Sequence, residues 1–351
     1  GGSTLNETLH QVIHIDPAPP RQIAESVPAE LERICLKSLS KRASGRHETA
    51  AAFADDLEQW LQPAVVDGMP KAARQIVPKG LRSFDASDAD FFLELLPGTR
   101  NRDGLPEGIA FWKQQIEQPD PEKTFSVGLI YGPSGCGKSS LVKAALLPRL
   151  ADNVTAIYLE ATPEETELRI LRGLHKRFSD LPANANIADT FAELRRHPRG
   201  KIVIVLDQFE QWLHAHRADP DSDLVRALRQ CDGGAVQAIV MVRDDFAMAA
   251  ARLMNVLDIP ILQGHNFTTV DLFDTPHAEK VLIRFGQAFG KLPSNSGQLS
   301  VEENRFVAEA IDGLAEDGKV VSVRISLFAE MVKNKTWVPS TLLQVGGARG
   351  I

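Results

Sequence analysis

The middle of the chain alternates short apolar runs with longer stretches in which apolar residues recur every three or four positions. The short runs predict buried β-strands. They occupy residues 125–131, 154–160, 201–206 and 236–242. The longer stretches have the spacing of amphipathic helices. They occupy residues 163–178, 187–196 and 221–230. Because strands that alternate with helices form parallel sheets covered on both faces, the pattern predicts an α/β fold for this region.

Helical patterns dominate both ends of the chain. Near the N-terminus they lie at 6–13, 28–38 and 49–61, and Leu31, Ile34, Cys35 and Leu39 share one face of the second. Ahead of the first strand, a helix follows the cap at 85–88 and another covers 106–118. Helices are also predicted at 276–289, 301–315 and 326–332. We therefore expect a helical part at 1–62, a linker with three prolines at 63–79, a core domain at 80–275 and a truncated helical domain at 276–351.

Composition narrows the class of protein. The chain has 351 residues, 43% of them apolar, which is ordinary for a globular protein with two or three domains. The net charge of −7 argues against a general nucleic-acid binder. No apolar run approaches the roughly 20 residues of a membrane helix, so no membrane partner is expected. Three widely separated cysteines make no disulfide framework and indicate a reducing, cytoplasmic compartment.

A glycine-rich segment joins the first predicted strand to a helix-forming stretch. Its sequence, G-P-S-G-C-G-K-S, fits the phosphate-loop pattern G-x-x-x-x-G-K-[ST], with a strand before it and a helix after it. Glycines allow the sharp turn and the close approach of phosphate, while backbone N–H groups and the helix N-terminus hold the anion. We predict that the loop binds a nucleoside triphosphate through Gly132, Pro133, Ser134, Gly135, Cys136, Gly137, Lys138, Ser139 and Ser140.

Two side chains of the loop and one carboxylate are predicted to act on the phosphates. Lys138 is long enough to reach the β- and γ-phosphates, and the hydroxyl of Ser139 is placed to bind Mg²⁺. The apolar strand at 201–206 ends at Asp207, which we predict to be the second Mg²⁺ residue. The alternative for Asp207 is a structural role as a strand-terminal or helix-capping residue.

Two further residues are candidates for catalysis. Glu210 follows Asp207 by three positions and is predicted to orient or deprotonate the attacking water, unless it is an ordinary exposed carboxylate on a helix. Arg243 ends the strand at 236–242, where a cation can sense the γ-phosphate. Its alternative is a structural ion pair with Asp244 or Asp245.

Two other patterns carry weaker hypotheses. Cys136 lies near a helix N-terminus and a lysine, an environment expected to lower a thiol pKa, so a redox role is open beside that of a small loop-filling residue. His214 and His216 are two positions apart and point to different faces of a helix, so no metal site is expected there.

The strings GPSGCGKSS, IVIVLDQFEQW and AIVMVRDDF together resemble the STAND branch of the AAA+-related P-loop ATPases. The resemblance runs from Gly80 towards the end of the chain and is strongest through Phe246. It implies that ATP binding switches a signalling protein between closed and oligomeric states. It also implies that a winged-helix-like or helical domain follows the core. In that family the lead-in segment packs on the base, which offers Phe84 and Phe91 a role there beside ordinary core packing.

The stretch VPAELERICLKSLSKRASGRHETAAAFADDLEQWL resembles the last helices of the C-lobe of a bacterial-type serine/threonine protein kinase. The run Leu31-x-x-Ile34-x-x-Lys37-x-Leu39, then Arg46 and the terminal D-L-x-x-W-L carry the resemblance. The glutamate that normally pairs with the arginine at position 46 is absent from this sequence. The chain also lacks the glycine-rich ATP loop of protein kinases, their catalytic H-R-D loop and their D-F-G motif. This fragment alone therefore cannot phosphorylate a substrate.

These observations predict a cytoplasmic, slowly hydrolysing ATPase with Mg²⁺ as cofactor that acts as a signalling switch, with GTP as an alternative nucleotide. Self-association or protein partners are expected. Three alternatives stay open: the regulatory part of a serine/threonine kinase, a scaffold that binds nucleotide without hydrolysing it, and another P-loop machine such as a transporter subunit or helicase. The last ranks lowest, since the chain has neither an L-S-G-G-Q-type signature nor a basic, aromatic-rich path for a strand.

Overall fold

The structure is a computed structural model, and it describes residues 83–348 except 183 and 218, and also residues 17, 20, 29–39, 53, 54 and 57. It divides into two compact units, Gly1–Arg74 and Gln75–Ile351.

In the first unit, helix α1 spans Ala29–Ser38, one residue shorter than the predicted 28–38, and Ile34 is buried. The expectation that Leu39 continues the buried face is wrong: α1 ends before it, and its side chain is 49% exposed. The helix predicted at 6–13 and most of the one at 49–61 lie outside the described residues.

A five-stranded parallel sheet organises the second unit. Its strands are β1 (Val127–Gly132), β2 (Val154–Glu160), β3 (Lys201–Asp207), β4 (Val236–Arg243) and β5 (Phe267–Thr269). They lie in the order β2-β3-β4-β1-β5. A separate antiparallel pair consists of β6 (Phe273–Asp274) and β7 (Lys319–Val320). The prediction of an α/β fold with a parallel sheet is confirmed.

Alternate residues of the central strands enter two hydrophobic cores on opposite faces of the sheet, because successive side chains of a strand point in opposite directions. One core receives Ile130, Val203, Val205, Ile239 and Met241. The other receives Leu129, Ile204, Leu206, Val240 and Val242. Strands β1, β3 and β4 are therefore buried on both sides, which explains their nearly continuous apolar sequences.

Helices cover both faces. The first core is closed by α2 (Ala89–Leu95), α3 (Glu107–Glu117), α4 (Lys138–Ser140, continued as a π-helix over Leu141–Leu146) and the C-terminal helices. The second is closed by α5 (Thr166–Arg177), α6 (Ile187–Arg196), α7 (Glu210–His216), α8 (Asp223–Leu228) and α9 (Ala247–Val256). The C-terminal helices are α10 (Thr275–Ala288), α11 (Val301–Leu314), α12 (Ser322–Val332) and α13 (Pro339–Gln344).

Local sequence signals explain several helix starts. Asp85 accepts a hydrogen bond from the Ser87 N–H and forms a capping box with Asp88, which begins the 3₁₀ turn that leads into α2. Ser300 and Glu303 form the same box at the start of α11. Helix α12 begins at Ser322, ahead of the predicted 326, and no cap residue marks that position.

In the sheet, β4 lies between β1 and β3, so the strand that ends at Asp207 is not the direct neighbour of the strand before the glycine loop. Among the described residues, none of the helices has the length and apolar character needed to span a bilayer.

Candidate functional site

The glycine loop leaves the carboxyl end of β1 and turns into α4. Gly135 and Gly137 have φ values of 74° and 98°, in the region that glycine adopts without steric cost. A Cβ on Gly132 would lie 2.1 Å from the Val270 carbonyl oxygen, so the backbone passes too close to its neighbour for any side chain. The sequence therefore uses glycine where this turn requires it.

The Lys138 side chain folds back over the loop. Its Nζ donates to the carbonyl oxygens of Gly132 at 2.6 Å and Pro133 at 3.0 Å, and it lies 3.8 Å from the Cys136 sulfur. This places the ammonium group at the centre of the loop, where an anion held by the loop N–H groups would meet it.

Ser139 and Asp207 are in direct contact although 68 residues separate them. The Ser139 hydroxyl donates to Asp207 Oδ2 at 2.5 Å. Asp207 is 2% exposed, and its other oxygen, Oδ1, accepts from the Gln208 N–H at 2.8 Å. Gln208 has a φ of 52°, so the chain turns sharply just after the carboxylate. The insertion of β4 into the sheet does not keep Asp207 from reaching the loop.

Tyr158 completes the surroundings of this carboxylate and was not among the predicted site residues. Its hydroxyl donates to the same Oδ2 that Ser139 contacts. Burial, together with the nearby Asp207 carboxylate, raises the pKa of Tyr158 far above its ordinary value. The sequence holds a signal for this contact, since Tyr158 lies close to the carboxyl end of β2, but it emerges only once the pairing of β2 with β3 is known.

Glu210 is the first residue of α7 and faces the same cavity as Asp207. Its Oε2 atom is buried and has no hydrogen-bond partner. A buried carboxylate oxygen without a donor is energetically costly, which is typical of a group that binds something other than its own protein.

Arg243 pairs with Asp245 at 2.6 Å, and its guanidinium lies 5.9 Å from the centre of the Phe246 ring. The contact matches the structural alternative considered for this residue. The strand register nevertheless sets Arg243 opposite Gly132, and its side chain lines the cavity. The pair is about half exposed, so it is a weak bond that another anion can replace.

One cavity of about 1190 Å³ gathers most of the predicted residues. Its wall includes Ser134, Gly135, Cys136, Gly137, Lys138, Ser139, Ser140, Asp207, Glu210 and Arg243. Gly132 and Pro133 are not part of this wall and instead accept hydrogen bonds from Lys138.

Aromatic side chains are part of the cavity wall. Phe84 lines it and packs at ring-centre distances of 5.1 Å from Phe92 and 6.4 Å from Phe285. The Phe84 N–H donates to the Ser140 hydroxyl at 3.1 Å, which ties the lead-in segment to the loop. Phe91 joins this aromatic cluster but does not line the cavity.

The C-terminal helices also contact the loop. The Ser322 hydroxyl, at the start of α12, donates to the Gly135 carbonyl oxygen at 2.7 Å. A Cβ on Gly135 would lie 2.7 Å from a methyl group of Val321. Ser322, Val323 and Ser326 line the cavity, and the sequence alone had identified none of them.

The structure describes the surroundings of the residues behind both weaker hypotheses. Burial raises the pKa of the Cys136 thiol, and the opposing effect of Lys138 is smaller, so the expectation of a lowered pKa is wrong. His216 stacks on Trp212 at 4.5 Å between ring centres, and its Nδ1 lies 3.2 Å from the Trp212 carbonyl oxygen. The described part of the chain contains no group of three or more potential metal ligands among His, Cys, Asp and Glu.

The oxygen atoms around Asp207 fit a magnesium ion. Mg²⁺ binds to one or two protein oxygens and to phosphate and water for the rest of its coordination. Ser139 and Asp207 supply a hydroxyl and a carboxylate oxygen that already lie 2.5 Å apart. Two protein oxygens are therefore enough for such a site, and no larger cluster of protein ligands is needed.

A glycine loop at the end of β1, in a parallel sheet of this order, defines the class as a P-loop NTPase fold. The model of the family Novel STAND NTPase 1 matches residues 79–272, more than half of the chain. The chain belongs to this family.

One solved structure supports the fold, and a second is reported for its similarity alone. The ORC2 protein of Aeropyrum pernix, in its ADPNP-ADP complexes, is 17% identical with a TM-score of 0.50, covering 72% of this chain and 68% of that one. A Walker-type ATPase of Pyrococcus abyssi is 15% identical with a TM-score of 0.45, covering 72% and 75%.

The N-terminal part is similar to a kinase. The serine/threonine-protein kinase PknB of Mycobacterium leprae (strain TN) is 27% identical over 121 residues. This covers 34% of the present chain and 17% of the kinase, so the chain spans about a sixth of that relative's length.

Proposed function

We propose that this chain binds ATP with Mg²⁺, hydrolyses it slowly and acts as a nucleotide-dependent signalling switch. The single observation that best supports the proposal is the contact between Ser139 and Asp207 beside the glycine loop. Both oxygens and the Lys138 ammonium group are at the wall of one cavity large enough for a nucleotide.

The loop and Lys138 would hold the phosphates. Loop N–H groups and the start of α4 attract anions, and the Lys138 Nζ now bonded to two carbonyl oxygens would exchange them for phosphate oxygens. Ser139 and Asp207 would hold Mg²⁺, which neutralises charge on the phosphates when bound. This set of groups is the same for ATP and GTP, and we propose ATP with GTP as the alternative.

Glu210 would hold the attacking water. Glu210 lines the cavity, and a small rotation of its side chain would let the buried, unpartnered Oε2 accept a hydrogen bond from a water molecule without losing a bond to the protein. Arg243 would respond to the γ-phosphate by exchanging Asp245 for it, since the exposed ion pair is weak. Through these two residues, the conformation of the protein would depend on whether the bound nucleotide still carries its γ-phosphate.

The test is nucleotide binding and hydrolysis by the wild type and three variants. Lys138→Ala should bind ATP about 10- to 100-fold more weakly, as a charge-assisted hydrogen bond contributes about 1.5–3 kcal/mol. In Asp207→Ala, Mg²⁺ should no longer improve the binding of ATP. Glu210→Gln should keep its affinity while turnover falls about 100-fold or more.

Glu122→Gln is the matched control for these variants, because this exposed carboxylate precedes β1 at the other end of the strand. It should behave as wild type. Wild-type protein that binds no nucleotide would refute the proposal. Binding without hydrolysis, and with no effect of Glu210→Gln, would favour the scaffold alternative. A binding competition between ATP and GTP decides which nucleotide base the site prefers.

The similarity to PknB supports a second candidate, in which this chain is the regulatory part of a serine/threonine kinase. The gene sequence ahead of residue 1 tests it. Kinase catalytic motifs in the same reading frame would support this candidate, and their absence from the gene would remove it.

A further inference from the structure

One oxygen of Asp207 accepts two hydrogen bonds from side chains. Ser139, on the glycine loop, donates to Oδ2 at 2.5 Å. Tyr158, on β2, donates to the same Oδ2 atom from its hydroxyl. Asp207 is 2% exposed, so this oxygen is largely shielded from water and both donors determine its direction.

The pairing of β2 with β3 brings Tyr158 to this place. Glu160 pairs with Asp207 and Tyr158 with Val205, so the tyrosine starts two residues behind the carboxylate on the adjacent strand. A tyrosine side chain spans that offset, and its hydroxyl reaches the end of β3.

The ring of Tyr158 is itself fixed by a cation. Lys143 lies on the π-helical turn after the glycine loop, and its Nζ is 4.5 Å from the centre of the tyrosine ring. Lys143 also lies 3.6 Å from a carboxylate oxygen of Glu160 and 3.4 Å from the Ser83 hydroxyl. A cation over the ring face holds the ring by electrostatic attraction.

The hydroxyl of Tyr158 is the donor in this contact, because a carboxylate oxygen has lone pairs that accept and no proton to give. A protonated phenol beside a carboxylate can only donate to it. The bond therefore fixes the direction of the carboxylate, and it uses one lone pair of Oδ2.

We propose that Tyr158 is a positioning residue for the magnesium site, holding Oδ2 of Asp207 towards Ser139 so that the pair forms one preset oxygen site. The inference rests on the proposed function. It concerns the binding of Mg²⁺, which the experiment below separates from the binding of the nucleotide itself. Partners that orient a metal-binding side chain commonly change metal affinity by about 10- to 100-fold.

Tyr131 offers a matched control, because the chain contains only two tyrosines. Its hydroxyl lies 3.4 Å from the Ala247 carbonyl oxygen, away from Asp207. Tyr158→Phe and Tyr131→Phe each remove one hydroxyl and keep the ring, and the ring of residue 158 keeps its contact with Lys143.

The experiment measures the ATP dissociation constant in EDTA and in saturating Mg²⁺ for wild type and both variants. The ratio of the two constants reports how strongly Mg²⁺ improves binding. In Tyr158→Phe this ratio should fall about 10-fold while affinity in EDTA stays within about twofold of wild type. Tyr131→Phe should keep the wild-type ratio.

A measurement on unmutated protein supports the comparison. In protein labelled with 3-fluorotyrosine and loaded with ADP, Mg²⁺ should shift the fluorine resonance of Tyr158 and leave that of Tyr131 in place. The Tyr131→Phe variant assigns the two resonances.

The outcomes separate the inference from the proposed function. If wild type binds ATP better with Mg²⁺ and Tyr158→Phe does so equally well, the positioning role is refuted and the function stands. Equal losses of ATP affinity in EDTA and in Mg²⁺ also refute the positioning role. So does a Tyr158 fluorine resonance that does not shift when Mg²⁺ is added. If wild type binds no ATP in either buffer, both fail together.

Discussion

The backbone at Gly132 is enclosed on two sides. A Cβ there would lie 2.1 Å from the Val270 carbonyl oxygen and 2.8 Å from the Cys136 sulfur. Because the Val270 carbonyl is backbone at the end of the sheet, it cannot move away cheaply. We expect Gly132→Ala to destabilise the fold by about 3 kcal/mol or more, at the upper end of the usual cost of overpacking. Denaturant unfolding without nucleotide measures it.

Gly108→Ala is the control for this prediction. It lies near the start of α3, and a Cβ there has no neighbour within 4 Å. Alanine favours a helix over glycine by up to about 1 kcal/mol, so this variant should be as stable as wild type or slightly more stable. Equal unfolding midpoints for both variants would show that the turn at Gly132 tolerates a side chain.

The thiol of Cys136 is expected to react slowly. Burial raises its pKa more than Lys138 lowers it, so at neutral pH little thiolate is present, and reactivity should rise only as the pH increases. Iodoacetamide followed by peptide mass mapping should show Cys35, which is half-buried, modified well before Cys136 and the buried Cys231. Modification of Cys136 as fast as Cys35 would contradict this expectation and revive a redox role.

At the scale of elements, α12 is the point where the C-terminal helices meet the glycine loop. Ser322 bonds to Gly135, and Val323 and Ser326 line the same cavity. A nucleotide in the cavity should therefore protect amides in the first turn of α12 from hydrogen exchange. Exchange measured by mass spectrometry with and without ATP checks this.

Helix α6 is the internal control for the exchange experiment. It packs in the core on the opposite face of the sheet, and none of its residues lines the cavity. Its exchange should not change with nucleotide, and Lys138→Ala should lose the protection of α12. Protection that spreads equally over α6 and α12 would indicate general stabilisation instead of a local link to the loop.

The elements differ in how much of them the sequence reveals. The apolar runs predicted β2 with its observed bounds and β3 and β4 to within one residue. The pattern is clearest for β3 and β4, because strands buried on both faces are apolar almost throughout. Strand β5 has only three residues, Phe267–Thr269, and was missed. Helix α9 was missed as well, since it directly follows the polar cluster that ends β4.

The parts of the candidate site that are formed by residues close together in sequence could be predicted. The glycine loop, Asp207 and Glu210 stand out because each follows a strand within a few residues. Tyr158 and Ser322 could not be found in this way, because their roles depend on which strand lies beside β3 and on which helix packs against the loop. Such contacts are set by tertiary packing, which periodicity does not report.

At the scale of the whole second unit, one core links the sheet to the C-terminal helices. Ile130 and Met241 of the sheet belong to the same hydrophobic cluster as Phe285 of α10 and Phe328 of α12. Displacement of α12 would therefore disturb a shared core, and a close-packed core adopts discrete arrangements more readily than gradual ones. This is the physical basis on which a bound nucleotide could bias two states of the unit.

The last prediction concerns the mass of the protein in solution. If the γ-phosphate draws Lys138 and Arg243 from their present partners and alters the contact at Ser322, the ATP and ADP forms should expose different surfaces. We expect wild type in ATP and Mg²⁺ to show at least twice the mass it has in ADP, measured by light scattering after size exclusion at several concentrations. Lys138→Ala should keep the ADP mass in both nucleotides. The same mass for wild type in ATP and ADP would leave hydrolysis intact as a proposal and would refute self-association as the output of the switch.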